Sequence, residues 1–280
     1  MASNAIAAAN VLNFIPEAWS LKVKADVEAN LVCVGLIDRS YQEQLKFGQK
    51  LNVPNLADLG AATAMSYTAD LTLIDLIQNT DQIVINQHYY QAVGEGIGDV
   101  DMDRPDYLEK ALGKCAYAVA KQMDTSVNAL FNAFTQAVGT EGSALTADVL
   151  LSAYEYLNLA DAPPEGRAWI FDPESITDLM QIDLFVRMDY TDTLPWKNGF
   201  TGKQILGAPV YISTNLEAVN TTYHGAAYLH KEAIALIQQT APVTFRKYWD
   251  EKFTWYTGVR ALWGLKVMRD TFGVWLKTRS

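Results

Sequence analysis

The chain has 280 residues, half of them apolar and 11% aromatic, with a formal net charge of −10. That length suits one large domain or two smaller ones with a sizeable core, and the apolar share excludes a disordered chain. The negative charge excludes nucleic-acid binding by a broad basic surface, which needs Lys and Arg to neutralise phosphates. The charge is also uneven: Phe245 to the end carries +5 and the first 244 residues carry −15. Glu95, Asp99, Asp101, Asp103, Asp106 and Glu109 form the acidic peak, opposed by Arg104. It reads as a solvated acidic loop feeding a helix N-terminus, with contact to a neighbour's basic C-terminal region as the second reading.

In chain order, residues 1–35 read as an arm. Asn13-Phe14-Ile15-Pro16-Glu17-Ala18-Trp19 places large apolar anchors in a segment with little core of its own, and Pro16 favours an extended chain before it. No charged n-region precedes an apolar stretch, because the first positive charge is Lys22, so no secretory signal is expected. No run approaches the roughly 20 apolar residues that span a bilayer, and no membrane role is expected. The Asn220-Thr221-Thr222 sequon is therefore expected to stay unmodified.

Residues 36–90 read as strands and turns. Phe47 to Pro54 alternates apolar and polar positions, Met65-Ser66-Tyr67-Thr68 and Leu71 to Asp75 continue in that style, and Gln82 to Asn86 is strand-like. The expectation is a long two-stranded excursion and return; a lone hairpin in water is marginal, so it should lie on something else. Residues 91–142 hold a helix start at Asp103-Arg104-Pro105-Asp106. Leu108, Leu112, Cys115, Val119, Met123, Val127, Leu130, Phe134 and Val138 then recur in steps of three and four. The spacing predicts one helix running to Gly139, about 33 residues and roughly 50 Å long.

Residues 143–244 read as mixed α and β. A helix capped by Thr146 covers Ala147–Leu157, a strand covers Arg167–Asp172, and a helix opens at Pro173 and runs to Gln181. A turn falls at Lys197-Asn198-Gly199-Phe200 and a strand at Gly207–Ser213. Ala226–Gln239 fits either strand or helix. Residues 245–280 read as long strands with a turn near Asp270. No repeat, low-complexity tract or composition break appears.

No catalytic signature emerges. Gly94-Glu95-Gly96-Ile97-Gly98 lacks the third glycine of a dinucleotide loop and the Gly-Lys-Ser/Thr ending of a P-loop, so it reads as a flexible or tight loop. His88, His224 and His230 have no zinc spacing. Cys33 and Cys115 stand in apolar surroundings without CxxC spacing, read as buried free thiols of a reducing cytoplasm. No GxSxG elbow occurs, although an Asp/Glu pair is not excluded by spacing. Trp249, Phe253, Trp255, Tyr256 and Trp263 beside Arg246, Lys247, Lys252 and Arg260 could stack on bases, but read more simply as core and interface packing. No cofactor or metal is expected.

Six stretches in this order resemble the major capsid proteins of tailed bacteriophages, the Hong Kong 97-like capsid fold of the α+β class. Phe14–Trp19 resembles the N-terminal arm entry, Tyr67 through Asn86 the end of the extended β-hairpin loop and its return, and Tyr107–Asp124 the long spine helix of the peripheral domain. Arg167–Pro173 and Gly207–Asn215 resemble pieces of the axial domain, and Tyr256–Lys277 the closing strands of the peripheral domain. The resemblance implies arm 1–35, extended loop and return 36–90, peripheral domain with spine helix 91–142, axial domain 143–244 and closing peripheral strands 245–280. It implies a structural subunit, not an enzyme, that self-assembles into hexamers and pentamers of an icosahedral shell enclosing double-stranded DNA without sequence-specific binding. Phe14, Ile15, Trp19, Phe47, Lys50 and Tyr67 are the candidate intersubunit contacts. A scaffolding protein, portal and decoration or cement protein are implied partners, with assembly in the host bacterial cytoplasm and residence in the virion of a member of the Caudoviricetes. The arm begins almost at once, so scaffolding is expected to be a separate protein or a segment already removed. Lys46 and Lys50 lie where some relatives cross-link, but no partner Asn is nominated. An encapsulin-like nanocompartment shell and an Asp/Glu-dependent enzyme are the alternatives.

Overall fold

The computed structural model describes residues 33–42, 45, 47–56, 62, 78–96, 105–182, 204–216, 218–220 and 223–279. The expected excursion is a hairpin at its base: β1 (Lys50–Leu56) pairs antiparallel with β2 (Gln78–Val84), from Lys50↔Val84 to Leu56↔Gln78. Pro54 sits inside β1 opposite Thr80. A proline is tolerated there because β1 is an outer strand. The expected strands at Met65–Thr68 and Leu71–Asp75 lie outside the described residues, as do the arm anchors and the Lys197–Phe200 turn.

Strand β3 (Gln87–Gly96) follows at once and joins a second sheet. Gly94-Glu95-Gly96 is therefore the end of a strand and not the loop that its glycines suggest. The reason is the partner strand: Gly94 faces Tyr256, and a Cβ there would lie 3.3 Å from the Tyr256 ring and the Thr254 methyl. Ile97 and Gly98 lie outside the described residues.

Helix α1 spans Pro105–Asn128, 24 residues, about 36 Å at 1.5 Å each. Its inward stripe is Leu112, Cys115, Ala116, Val119, Ala120, Met123 and Val127, all buried. The helix ends eleven residues before Gly139, so the 33-residue expectation was too long. Thr125 Oγ1 and Ser126 Oγ donate to the carbonyls of Lys121 and Gln122, and Asn128 Nδ2 donates to the Asn215 carbonyl 3.0 Å away. Such polar side chains compete with the helical ladder and close it. Leu130 enters a turn, Phe134 follows a 3-10 turn at Phe131–Ala133, and Val138 belongs to β4 (Ala137–Val138). Gly139 ends that strand with a φ of +90°, where a Cβ would meet the Lys277 carbonyl at 2.6 Å.

Helix α2 (Ala147–Leu159) begins after Thr146 as expected, though no side chain caps it. Strand β5 (Arg167–Phe171) leads into α3 (Pro173–Leu179), whose N-cap Asp172 accepts from the Glu174 and Ser175 amides. Strands β6 (Gln204–Ile205), β7 (Ala208–Ile212), β8 (Ala218–Asn220) and β9 (Tyr223–His230) follow. The undecided 226–239 stretch is strand on both sides of a short turn: β9 ends at His230 and β10 (Ile234–Trp249) begins after Lys231–Ala233. Strand β11 is Thr254–Val267 and β12 is Gly273–Lys277. The turn near Asp270 is present, but the hairpin between the two longest strands turns at Asp250–Lys252. The expected seam at 244/245 falls inside β10, and that at 90/91 inside β3.

Two sheets result. One has the order β10-β11-β3 and packs on α1 through Val93, Val259, Ala261 and Trp263. The other runs β4-β12-β9-β5-β7-β6, with β8 pairing β9. Strand β5 is buried along its whole length, and its Trp169 stacks on Tyr228 with ring centroids 3.8 Å apart while donating Nε1–H to the Ile205 carbonyl. One continuous apolar core joins α1, both sheets and α2.

Candidate functional site

Three features stand out among the described residues. The first is the root of the β1–β2 hairpin. Leu45, Ile83, Ile85, Ala235 and Ile237 form a small second core there, flanked by Leu51, Val53 and Leu262. The Gln239 side chain donates to the Gly48 carbonyl at 2.9 Å, the Ile85 amide donates to the Gln49 carbonyl, and Lys266 Nζ pairs with Asp81 at 2.7 Å. That ion pair is about one-third exposed on each side and contributes little by itself. Gly264 lets β2 pass closely: a Cβ there would lie 2.4 Å from the Val84 carbonyl oxygen. The root is thus anchored while Phe47 stands 92% exposed and Lys50 is exposed on β1. Of the candidate contacts, these two are brought together; Phe14, Ile15, Trp19 and Tyr67 lie outside the described residues, as does Lys46.

The second feature is a polar tie under the start of the described chain. Asp124 is fully buried and accepts from the Cys33 amide at 2.9 Å; Asn215 Nδ2 and Ser213 Oγ approach its other oxygen at 3.4 and 3.5 Å. It joins α1, the exit of β7 and the segment that leads out toward the N-terminus. No sequence pattern marked it, because its partners are 89 to 91 residues away. Burial, then the Asp124 charge and hydrogen bond, push the Cys33 thiol well above its ordinary value of 9.0; burial alone raises Cys115. A raised folded-state pKa stabilises the fold fully below the ordinary value, and that contribution is lost as pH climbs through it. Two outcomes are expected: neither thiol reacts with an aromatic disulfide reagent in the native subunit at neutral pH, whereas both react in urea, and the urea midpoint falls as pH rises above 9.0. Fast labelling of Cys33 in the native protein would contradict the buried tie.

The third is the face of the β10-β11-β3 sheet turned away from α1, where Tyr90, Phe245, Trp249 and Tyr256 wall a depression of about 820 Å³ beside Lys247. Tyr90 is 68% and Trp249 is 42% exposed. Phe253, at the hairpin tip, is also largely exposed. The aromatics singled out in the sequence therefore divide: Trp263 is core, while Trp249 and Phe253 face outward. Period-two alternation in a paired strand is the signal that separates them.

Among the described residues, no group of three His, Cys, Asp or Glu is placed to hold a metal ion, and no helix is long and apolar enough to cross a membrane. His230 is buried, with Nε2 at 2.9 Å from the Glu165 carbonyl and its ring edge-on to Phe272. Arg167 is buried among the Pro163 and Ala162 carbonyls and Asn158 Oδ1. Both are structural fixtures of the 158–166 turn.

No family model matches the sequence, and no curated protein matches it. Solved structures do. A protein of Mycobacterium phage Che8 aligns with a TM-score of 0.74 and 20% identity, over 88% of this chain and 90% of its own. The capsid of cyanophage P-SCSP1u aligns with a TM-score of 0.71 and 16% identity, over 89% and 88%. A virus-like particle from Pyrococcus furiosus aligns with a TM-score of 0.61 and 11% identity, over 94% and 99%.

Proposed function

From a fold that this chain shares with phage capsid proteins over nearly nine-tenths of its length, we propose that it is the major capsid protein of a tailed bacteriophage. It would be a Hong Kong 97-type subunit that assembles into hexamers and pentamers of an icosahedral shell around double-stranded DNA, and not an enzyme. The single observation that carries this reading is the match in fold to the P-SCSP1u capsid over 89% of this chain and 88% of that one. A hairpin anchored at its root supports it, with Phe47 exposed in the segment that leads into β1. In this reading α1 is the spine helix, the β10-β11-β3 sheet belongs to the peripheral domain, and the β5-centred sheet to the axial domain. The hairpin, with Phe47, Lys50 and Tyr67, and the arm, with Phe14, Ile15 and Trp19, reach adjacent subunits. Each large apolar side chain buried there contributes about 1.5–3 kcal/mol, and many modest contacts sum over many neighbours.

The net charge of −10 fits walls that confine DNA without gripping its phosphates. A scaffolding protein, a portal and a decoration protein are the further partners of this reading, with assembly in the bacterial cytoplasm. A nanocompartment shell is the second reading, favoured by the likeness to the Pyrococcus furiosus particle; particle contents, nucleic acid against cargo protein, separate the two. Deleting Met1–Trp19 tests the role of the arm. The truncated subunit is expected to keep its circular dichroism spectrum and to sediment as unassembled subunits. Loss of the folded spectrum would show that the segment belongs to the core.

A further inference from the structure

We propose that the outer edge of β3 accepts an added strand, and that this strand is Asn10–Ile15 of the protein's own N-terminal segment. The inference deepens the shell reading and rests on it. Strand β3 keeps an unbroken ten-residue register with β11, from Gln87↔Trp263 to Gly96↔Thr254, and among the described residues it pairs with nothing on its other side. The opposite outer strand, β10, is blunted. Pro242 lacks an N–H, the register shifts twice between Gln238 and Val243, and Asp38 bridges to Ala235 at the strand's start. Prolines, bulges and charges are how sheets protect free edges from pairing. β3 has no proline, no bulge and no formal charge before Glu95. An unprotected edge of this length is a template for strand addition.

The side-chain space matches. A groove of about 590 Å³ opens between β3 and α1, lined by Val93, Ala111, Gly113 and Ala118, with Gln91 and Lys114 at the rim. The helix offers small residues there, which leaves room for large apolar groups from an incoming strand. Asn10-Val11-Leu12-Asn13-Phe14-Ile15 is uncharged and closed by Pro16, which cannot continue a ladder. As a strand it turns Leu12 and Phe14 to one face. The chain is long enough. The Cys33 amide is fixed to Asp124, and Ala118 to Ala111 lie about 9 to 20 Å up the helix from there. The eighteen steps from Ile15 to Cys33 span up to about 60 Å.

The test places a photo-crosslinker in the full-length chain, Gln91→p-benzoylphenylalanine, and maps the products by mass spectrometry after irradiation. Crosslinks to residues 10–16 are expected to dominate, and the product size tells whether the segment comes from the same or an adjoining copy. Leu12→Asp combined with Phe14→Asp should remove that crosslink and leave the circular dichroism spectrum unchanged. Crosslinks confined to other segments, no crosslinks, or an undiminished yield in the double variant overturns the proposal. Micrographs of the same sample keep the two readings apart: particles without the 10–16 crosslink sink the strand addition alone, and the crosslink without particles sinks the shell reading alone.

Discussion

Asp124→Ala is expected to destabilise the protein by about 1–3 kcal/mol, the range for leaving a buried donor without its acceptor. The carboxylate is fully buried and holds the Cys33 amide at 2.9 Å with Asn215 and Ser213 beside it. Alanine leaves a buried N–H without its acceptor and opens a small void, and both losses fall at the junction of α1 with the chain leading from the N-terminus. That is a large share of a domain's total stability of about 5–15 kcal/mol. Asp124→Asn keeps the shape and one acceptor oxygen, so it is expected to lose less than half as much. Urea unfolding of the subunit measures both. An alanine variant within about 0.5 kcal/mol of the parent, inside the range of ordinary surface changes, would show that the tie is not a structural joint.

Gly264→Val is expected to leave the body folded and to abolish assembly. The added Cβ would lie 2.4 Å from the Val84 carbonyl oxygen and 2.9 Å from its carbon. These are backbone atoms, so no rotamer relieves the clash and the end of β2 must move. Overpacking of this kind costs about 1–3 kcal/mol, spent mostly at the hairpin root, because Gly264 faces β2 while the main core lies on the α1 side. The direction in which the hairpin leaves the body changes, and so does the position of the exposed Lys50, which pairs with Val84. In the proposed shell, contacts repeated around the particle would multiply a small error in each copy, so the particle yield should fall more than about tenfold. Circular dichroism and sedimentation of the same sample separate the outcomes; normal particles from Gly264→Val would show that the seat of the hairpin does not govern assembly.

Local signals carried much of the fold. The Asp172-Pro173 pair announces a helix start, and Asp172 does cap α3. The alternation around Val53 and Ile83 announces paired strands, and they pair. The long stripe misled because Leu130, Phe134 and Val138 go on facing the same core after the helix has stopped. What stops it, Asn128 reaching the Asn215 carbonyl, joins residues 87 apart and leaves no local trace. Gly94 looked like part of a loop because its need for a close neighbour, Tyr256 and Thr254 on β11, is also non-local. The 250–252 turn hid among aromatics, although Asp250-Glu251-Lys252 is the only charged triplet between the two long strands. Phe47 and Lys50 are exposed where the hairpin pattern put them, whereas the outward aromatic face needed the strand register before Tyr90 and Trp249 could be told from Trp263.

Electron microscopy of the purified full-length protein, with sedimentation of the same sample, tests the central claim most directly. Closed shells of uniform diameter, or hexameric and pentameric capsomers, are the expected result. A protein that stays monomeric under every assembly condition tried, with the hairpin intact, would contradict it.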